Sequence, residues 1–389
     1  MTPVFDTAVI GGGLAGTSAA ITLAQQGARV LLLEAKAYPH HKVCGEFLSP
    51  VCMGYLGRLG VQEAVEAVHP AAITATRITS PRGVIWNSAL PGTGTGITRY
   101  TLDHLLADHA ARLGVCVQEK TRVLTVEGDL TDGFTLTARS EGQEVEFQAR
   151  TVIGAHGKRS TLDRTLARPF LNRQHPFIGL KAHFYGPPLH QRVELHTFPG
   201  GYCGISEVEE GQANVCLLVR QPVFQEAGAG DIERFITWMQ AQNPHLARWL
   251  AQAERVEPKW LSISQVPFSS KRAVEGDILM TGDAAGLIAP LAGDGMEMAL
   301  RGGEMAAVAV SRFLGDTWSA ERLRRQYRAE WRRVFGRRLR LAHGLQAAIL
   351  NPHVLAPGLH LLNRFPALGA FIVTHTRDMR LPVMTGGLS

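Results

Sequence analysis

Predominantly apolar runs at residues 4–10 and 28–33 flank a stretch of small residues that ends at Gly27. Such a pattern predicts buried strand, close-packed helix and buried strand, with Gly27 as the helix stop. A polar loop follows at 38–42, then helical spacing over 55–68. Residues 72–80 and 83–87 read as strands, and the glycine-rich 91–96 as a flexible loop that opens no second βαβ unit. Arg99 leads a helix over 101–113, stopped by Gly114. Beyond it, 115–118 and 121–127 read as strands, 134–139 and 145–149 as a hairpin turned at Glu141-Gly142, and 151–153 as a return to the central sheet. Period-two alternation then dominates 178–185, 193–197, 202–207 and 213–219, which predicts a second, β-rich unit. Residues 231–251 read as helical, 278–280 as a short buried strand, and 296–313 as a helix.

At 389 residues the chain can hold two or three domains, and 45% apolar with 19% charged residues is ordinary for a soluble globular enzyme. Five scattered cysteines with no C-x-x-C spacing offer neither a metal site nor a disulfide framework. A cytoplasmic setting and no metal are therefore expected, and the first strand starts too early for a signal peptide. No run reaches the ~18 apolar residues of a membrane span. The net charge of +6 is concentrated in 322–340, where nine arginines, Arg322 and Arg340 at the ends, accompany one acid, Glu330. Leu323, Tyr327, Trp331, Val334, Phe335 and Leu339 recur there at helical spacing. An apolar stripe usually packs on a core, and that reading is preferred; peripheral contact with a membrane is the alternative. No nucleic-acid motif accompanies the charge, so no nucleic-acid partner is expected.

Chemistry enters at the first turn. Gly11, Gly13 and Gly16 fit G-x-G-x-x-G between strand and helix, and Glu34 closes the second strand where a ribose-binding acid belongs. Gly11 permits the turn, Gly13 lets the backbone approach a pyrophosphate, and Gly16 lets helix and strand pack closely. The helix start at Leu14 and Ala15 presents N–H groups to the anion, and Ala35 follows the acid. An adenine dinucleotide is the expected ligand. A second block follows the strand at 278–280: Gly282-Asp283 can accept hydrogen bonds from a polyol, and Gly293, Gly295 and Met296 open a helix whose N–H groups could face a reducible ring.

The layout resembles the FAD-dependent superfamily of geranylgeranyl reductases and p-hydroxybenzoate hydroxylase-type monooxygenases. The resemblance covers residues 4–315 and rests on Gly11–Gly16 with Glu34, on Gly154-Ala155-His156-Gly157, and on Gly282–Gly286 with Pro290–Gly295. It implies FAD as cofactor, Arg99 as a flavin contact, and a nicotinamide donor, NAD(P)H, that docks transiently. His156 stands where the family carries Asp, a departure that bears on nicotinamide use. Cys44-Gly45-Glu46 is similar to the Cys-Gly-Gly stretch of the reductases, beside the flavin in that family, with Glu46 replacing the second glycine. Cys44 and Glu46 are accordingly the catalytic candidates, as acid, base or polar anchor. His183, Tyr185, His196 and Tyr202 could line the pocket, each read first as a surface or cross-strand residue.

The expected fold is α/β: a Rossmann-like FAD-binding domain (1–70, 97–165, 266–315) interleaved with a mostly antiparallel β-sheet substrate domain (71–96, 166–265), then a C-terminal helical region (316–389). The expected function is FAD-dependent redox chemistry on a small lipophilic or aromatic molecule, with a reductase of the geranylgeranyl-reductase type preferred. A monooxygenase acting on an aromatic or polyketide-type substrate is the first alternative, and an electron-transfer flavoprotein with no substrate of its own the second. Oligomeric state is not legible.

Overall fold

The structure, a computed structural model, describes residues 4–268 and 271–369. The expected C-terminal region extends to 389, and its residues 370–389 lie outside the described residues. Two sheets form the frame. The first has a parallel heart in the order Ile278–Met280, Gln143–Gly154, Val4–Ile10, Val30–Leu33 and Cys116–Gln118. The C-terminal halves of its inner strands are apolar because both faces are covered there, and Ala8, Val9, Leu31, Leu32 and Ile153 are buried. Helix Leu14–Gln25 covers one face and packs tightly on helix Gly295–Leu314.

The second sheet runs in the order Glu254–Arg255, Phe177–Tyr185, Ala213–Arg220, Gly201–Glu207, Arg192–Phe198, Ala71–Thr79, Ile85–Gly96 and Phe47–Leu48. All its pairings are antiparallel except Arg192–Phe198 with Ala71–Thr79. The α/β class and the mostly antiparallel second sheet match expectation. Glu141 and Gly142 both take positive φ, +49° and +90°, which closes the predicted hairpin as a tight two-residue turn.

Four elements differ from the sequence reading. The helix over 55–68 is two helices, Cys52–Arg58 and Gln62–Glu66, because Gly60 takes φ +77° between them. The helix over 231–251 breaks at Asn243, whose side chain caps the second half by accepting from the His245 and Leu246 N–H groups. The hairpin arm and the return strand are one strand, Gln143–Gly154. Finally, 91–96 is not a loop: it completes strand Ile85–Gly96, and a Cβ at Gly96 would lie 1.8 Å from the Glu207 carbonyl oxygen. Glycines that read as flexibility are there for close approach.

Helix Ala320–Ile349 buries Leu323, Tyr327, Trp331 and Phe335 in the first core, so the preferred reading of that stripe holds. Its far end and helix Pro352–Arg364 cover the second sheet through Ile349, Leu355 and Leu359.

Candidate active site

Gly11 turns the first strand into its helix with φ +103°, and a Cβ on Gly16 would lie 1.8 Å from the Gly11 carbonyl oxygen. Only glycine permits that crossing. Gly13 is the N-cap of helix Leu14–Gln25 and supplies no side-chain acceptor, so the first-turn N–H groups at Leu14 and Ala15 are presented to an anion. Two cations stand before it: a Cβ at Gly13 would meet Arg99 Nη2 at 3.3 Å and Lys42 Nζ at 3.6 Å. Glu34 is buried at the end of its strand and accepts from the Gly12 and Lys36 N–H groups at 2.9 and 3.0 Å, while Ala35 beside it is half-buried. An uncapped helix start, two cations and a buried acid at the strand end are groups that suit a dinucleotide pyrophosphate and its ribose.

Arg99 opens helix Arg99–Arg112 and grips Asp103 with two bonds of 2.7 and 2.8 Å; Lys42 reaches the same carboxylate at 2.8 Å. Burial opposes the Asp103 charge, but Arg99 and Lys42 outweigh it and hold the carboxyl below its usual range. Asp103 and Lys42 were not named from sequence as site residues. The i, i+4 spacing of Arg99 and Asp103 was the signal available for one; Lys42 sits in an irregular loop that no periodicity marks.

Gly282, at φ +56°, and Asp283 form a single 3₁₀ turn after strand Ile278–Met280. A Cβ at Gly282 would lie 2.8 Å from the Ala15 Cβ, so the two glycine blocks abut at the helix start. Lys271 Nζ donates to the Asp283 and Lys158 carbonyls at 2.7 and 2.6 Å, 4.5 Å above the Phe170 ring. Burial pushes its ammonium down to about 8 despite the Asp283 charge nearby. Gly293, at φ +70°, leads to Gly295 and buried Met296 at the start of helix Gly295–Leu314. Arg338 from the C-terminal helix binds the acids of that turn, Asp294 at 3.1 Å and Glu297 at 2.7 Å.

Residues 42–46 run from this cradle onto the second sheet. Lys158 Nζ donates to the Val43 carbonyl, Asn214 to that of Cys44 and Ser206 to that of Gly45, at 2.9, 3.1 and 3.1 Å. The half-buried Cys44 thiol sits beside the Arg99 guanidinium. Glu46 is fully buried at φ +53°. Its carboxylate accepts from the Arg99 N–H at 2.7 Å, from Lys181 Nζ, and from His183 Nε2 at 2.8 Å. His183 Nδ1 donates in turn to Glu257 at 2.5 Å. Burial would raise the Glu46 pKa; His183 and Lys181 more than reverse that and lower it.

Of the four candidate lining residues, Tyr185 is at the surface and His196 is a cross-strand partner of Thr79. His183 and Tyr202 are instead interior: His183 joins Glu46, and the Tyr202 hydroxyl donates to Gln346 of the C-terminal helix at 3.3 Å. His41, His183 and Glu257 bring one ligand atom each within 4.8 Å of one another, but both ring nitrogens of His183 are engaged by carboxylates, so this is a hydrogen-bonded cluster. His156 bonds Asp163 at 3.0 Å, and Asp163 meets the buried Arg168 at 2.9 Å, which also reaches the Ala284 carbonyl. His156 therefore belongs to a buried network bracing the Asp283 turn.

A family model described as FAD binding domain matches residues 4–341. The chain is similar to conditioned medium factor receptor 1 of Dictyostelium discoideum, 24% identical over 95% of this chain and 77% of that protein. It is 30% identical to digeranylgeranylglycerophospholipid reductase 2 of Methanopyrus kandleri, over 87% of this chain and 85% of the relative. Among solved structures it resembles the myxobacterial chondrochloren halogenase CndH, with a TM-score of 0.77 and 22% identity over 87% of this chain and 81% of that one, a likeness of fold.

Proposed function

The chain belongs to the FAD binding domain family and is an FAD-dependent oxidoreductase, and from that premise we propose that it reduces a lipophilic, isoprenoid-type small molecule. The observation that carries this reading is the course of residues 42–46, from the cations at Gly13 to the face of the second sheet, with the Cys44 thiol beside Arg99. The similarity to an isoprenoid-lipid reductase supports the substrate class.

Bound FAD supplies two-electron redox chemistry. Around it, the first-turn N–H groups, Arg99 and Lys42 hold the pyrophosphate, and Glu34 takes the ribose hydroxyls. Asp283 binds the ribityl chain, and the turn Gly293–Met296 borders the ring. Cys44 stands where a proton can be given to the substrate, and Glu46 anchors its loop. A nicotinamide dinucleotide is the proposed transient donor.

The discriminating experiment is to reduce the flavin without oxygen and then admit oxygen, recording visible spectra with polyprenyl and with aromatic substrates. Direct return to oxidised flavin, with a saturated polyprenyl product formed anaerobically, is expected. A transient oxygen adduct that decays with substrate hydroxylation would establish the monooxygenase alternative instead.

Among the described residues no helix is long and apolar enough to cross a membrane. Peripheral contact is proposed for helix Pro352–Arg364 and the residues just after it. There Val354, Leu361, Phe365 and Leu368 are exposed at helical spacing beside Arg364. Retention on anionic vesicles at low salt, lost in Leu361→Ser/Phe365→Ser, is expected in flotation. Equal retention of that double variant would sink the assignment.

A further inference from the structure

We propose that His183 and Glu257 are positioning residues: they lock Glu46 against the second sheet and thereby fix the Cys44 loop and its thiol beside Arg99. The inference rests on the reading that this loop borders the flavin site.

Glu46 is an expensive residue to keep. A non-glycine side chain at φ +53° is strained, and a carboxylate with no exposure is costly unless paired. Two elements compensate with three donors: the start of helix Arg99–Arg112 through its first N–H, and strand Phe177–Tyr185 through Lys181 and His183. An ionised carboxylate only accepts hydrogen bonds. His183 faces one on each side, Glu46 at 2.8 Å and Glu257 at 2.5 Å, so it presents an N–H on both nitrogens and is an imidazolium. Two carboxylates then face one ammonium and one imidazolium, and the buried cluster is neutral. Glu257, with its side chain 20% exposed, is the solvent end; Glu46 is the sealed end.

The groups facing His183 are Glu46 from the loop, Glu257 from beyond strand Glu254–Arg255, Lys181 from its own strand and His41, whose ring lies 5.2 Å away and stacks on Tyr100. Arg99 acts on it through Glu46. Burial lowers the His183 pKa, but Glu46 and Glu257 together outweigh burial and the Lys181 charge, and the net direction is up. The hold on the loop is thus complete below the ordinary histidine range and fades as pH rises through the raised value. A neutral ring would leave the sealed Glu46 and the part-exposed Glu257 against one ammonium.

The test is iodoacetamide labelling of Cys44 in the FAD-bound protein, read by peptide mass spectrometry. His183→Gln and Glu257→Gln are expected to speed labelling roughly tenfold, the scale of one lost charge-assisted hydrogen bond. The flavin spectrum and the protection of buried Cys52 and Cys203 should stay near wild type, even where loss of a cluster member lowers the melting temperature. Glu46→Gly should speed labelling as well, and Glu46→Gly/His183→Gln no further. With rising pH the wild-type rate should approach that of His183→Gln, a comparison in which thiol ionisation cancels. Unchanged labelling in both single variants, additive effects in the double variant, or equal acceleration at Cys52 and Cys203 would overturn the proposal. So would a labelling rate governed by added zinc or EDTA, which would assign the cluster to a metal. Full reductase activity in Cys44→Ala would sink the functional reading of the loop while leaving the labelling result intact.

Discussion

At position 46 the backbone suits glycine, yet the chain carries a glutamate with no solvent exposure. The sequence marked the substitution as a departure from the reductase pattern, but not its partners: Lys181 and His183 are 135 and 137 residues away, a separation no local pattern encodes. Glu46→Gln keeps the shape and strands two buried cations. It should lower stability by about 3 kcal/mol in urea unfolding, as broken buried pairs do, and a loss under about 0.5 kcal/mol would refute the ion cluster. Lys271 offers a pH test of different sign. Its ammonium is held at about 8 against an ordinary 10.5, so the folded state gives up the proton first. Burial opposes folding below that pH, and the opposition is relieved as pH rises from about 8 towards 10.5. Relative to Lys271→Met, wild type should therefore gain up to about 3 kcal/mol across that window. A gap that stays constant with pH would disprove it. His156 was legible as an anomaly, and its partner Asp163 was not. Buried networks are assembled by tertiary contact.

Elements with strong local signals were legible. Strand Val4–Ile10, helix Leu14–Gln25 and strand Val30–Leu33 are where apolar runs and glycines put them, and Glu34 ends up 2.9 Å from the Gly12 N–H. Glu34→Ala and Asp283→Ala are each expected to weaken FAD retention ten- to a hundredfold, the loss of one or two polar contacts, in equilibrium dialysis. Retention at wild-type strength in both would remove those residues from the cofactor site. Glycine was the least legible residue. Gly60 divides one expected helix in two, whereas Gly94 and Gly96 sit inside a strand because neighbouring strands press against them. Composition alone cannot tell a break from a close approach, because the deciding atom belongs to another segment.

At the scale of the molecule, the division into a mostly parallel and a mostly antiparallel sheet was readable from the two hydrophobic rhythms. How the C-terminal helices sit was less so: the stripe predicted burial of Trp331, while Arg338 reaching Asp294 and Glu297 carries no sequence signal. Trp331→Ala should cost about 3–5 kcal/mol by calorimetry. A cost near zero would mean the helix is not docked. The order in which the chain visits its sheets has a further outcome. Strand Gln143–Gly154 waits for its neighbour Ile278–Met280 until the entire second sheet has been made. A polypeptide emerging from the ribosome therefore carries an unpaired parallel edge and half a cofactor cradle through much of its synthesis. Such an edge invites aggregation, so chains cut short before Ile278 should aggregate more readily than the completed protein.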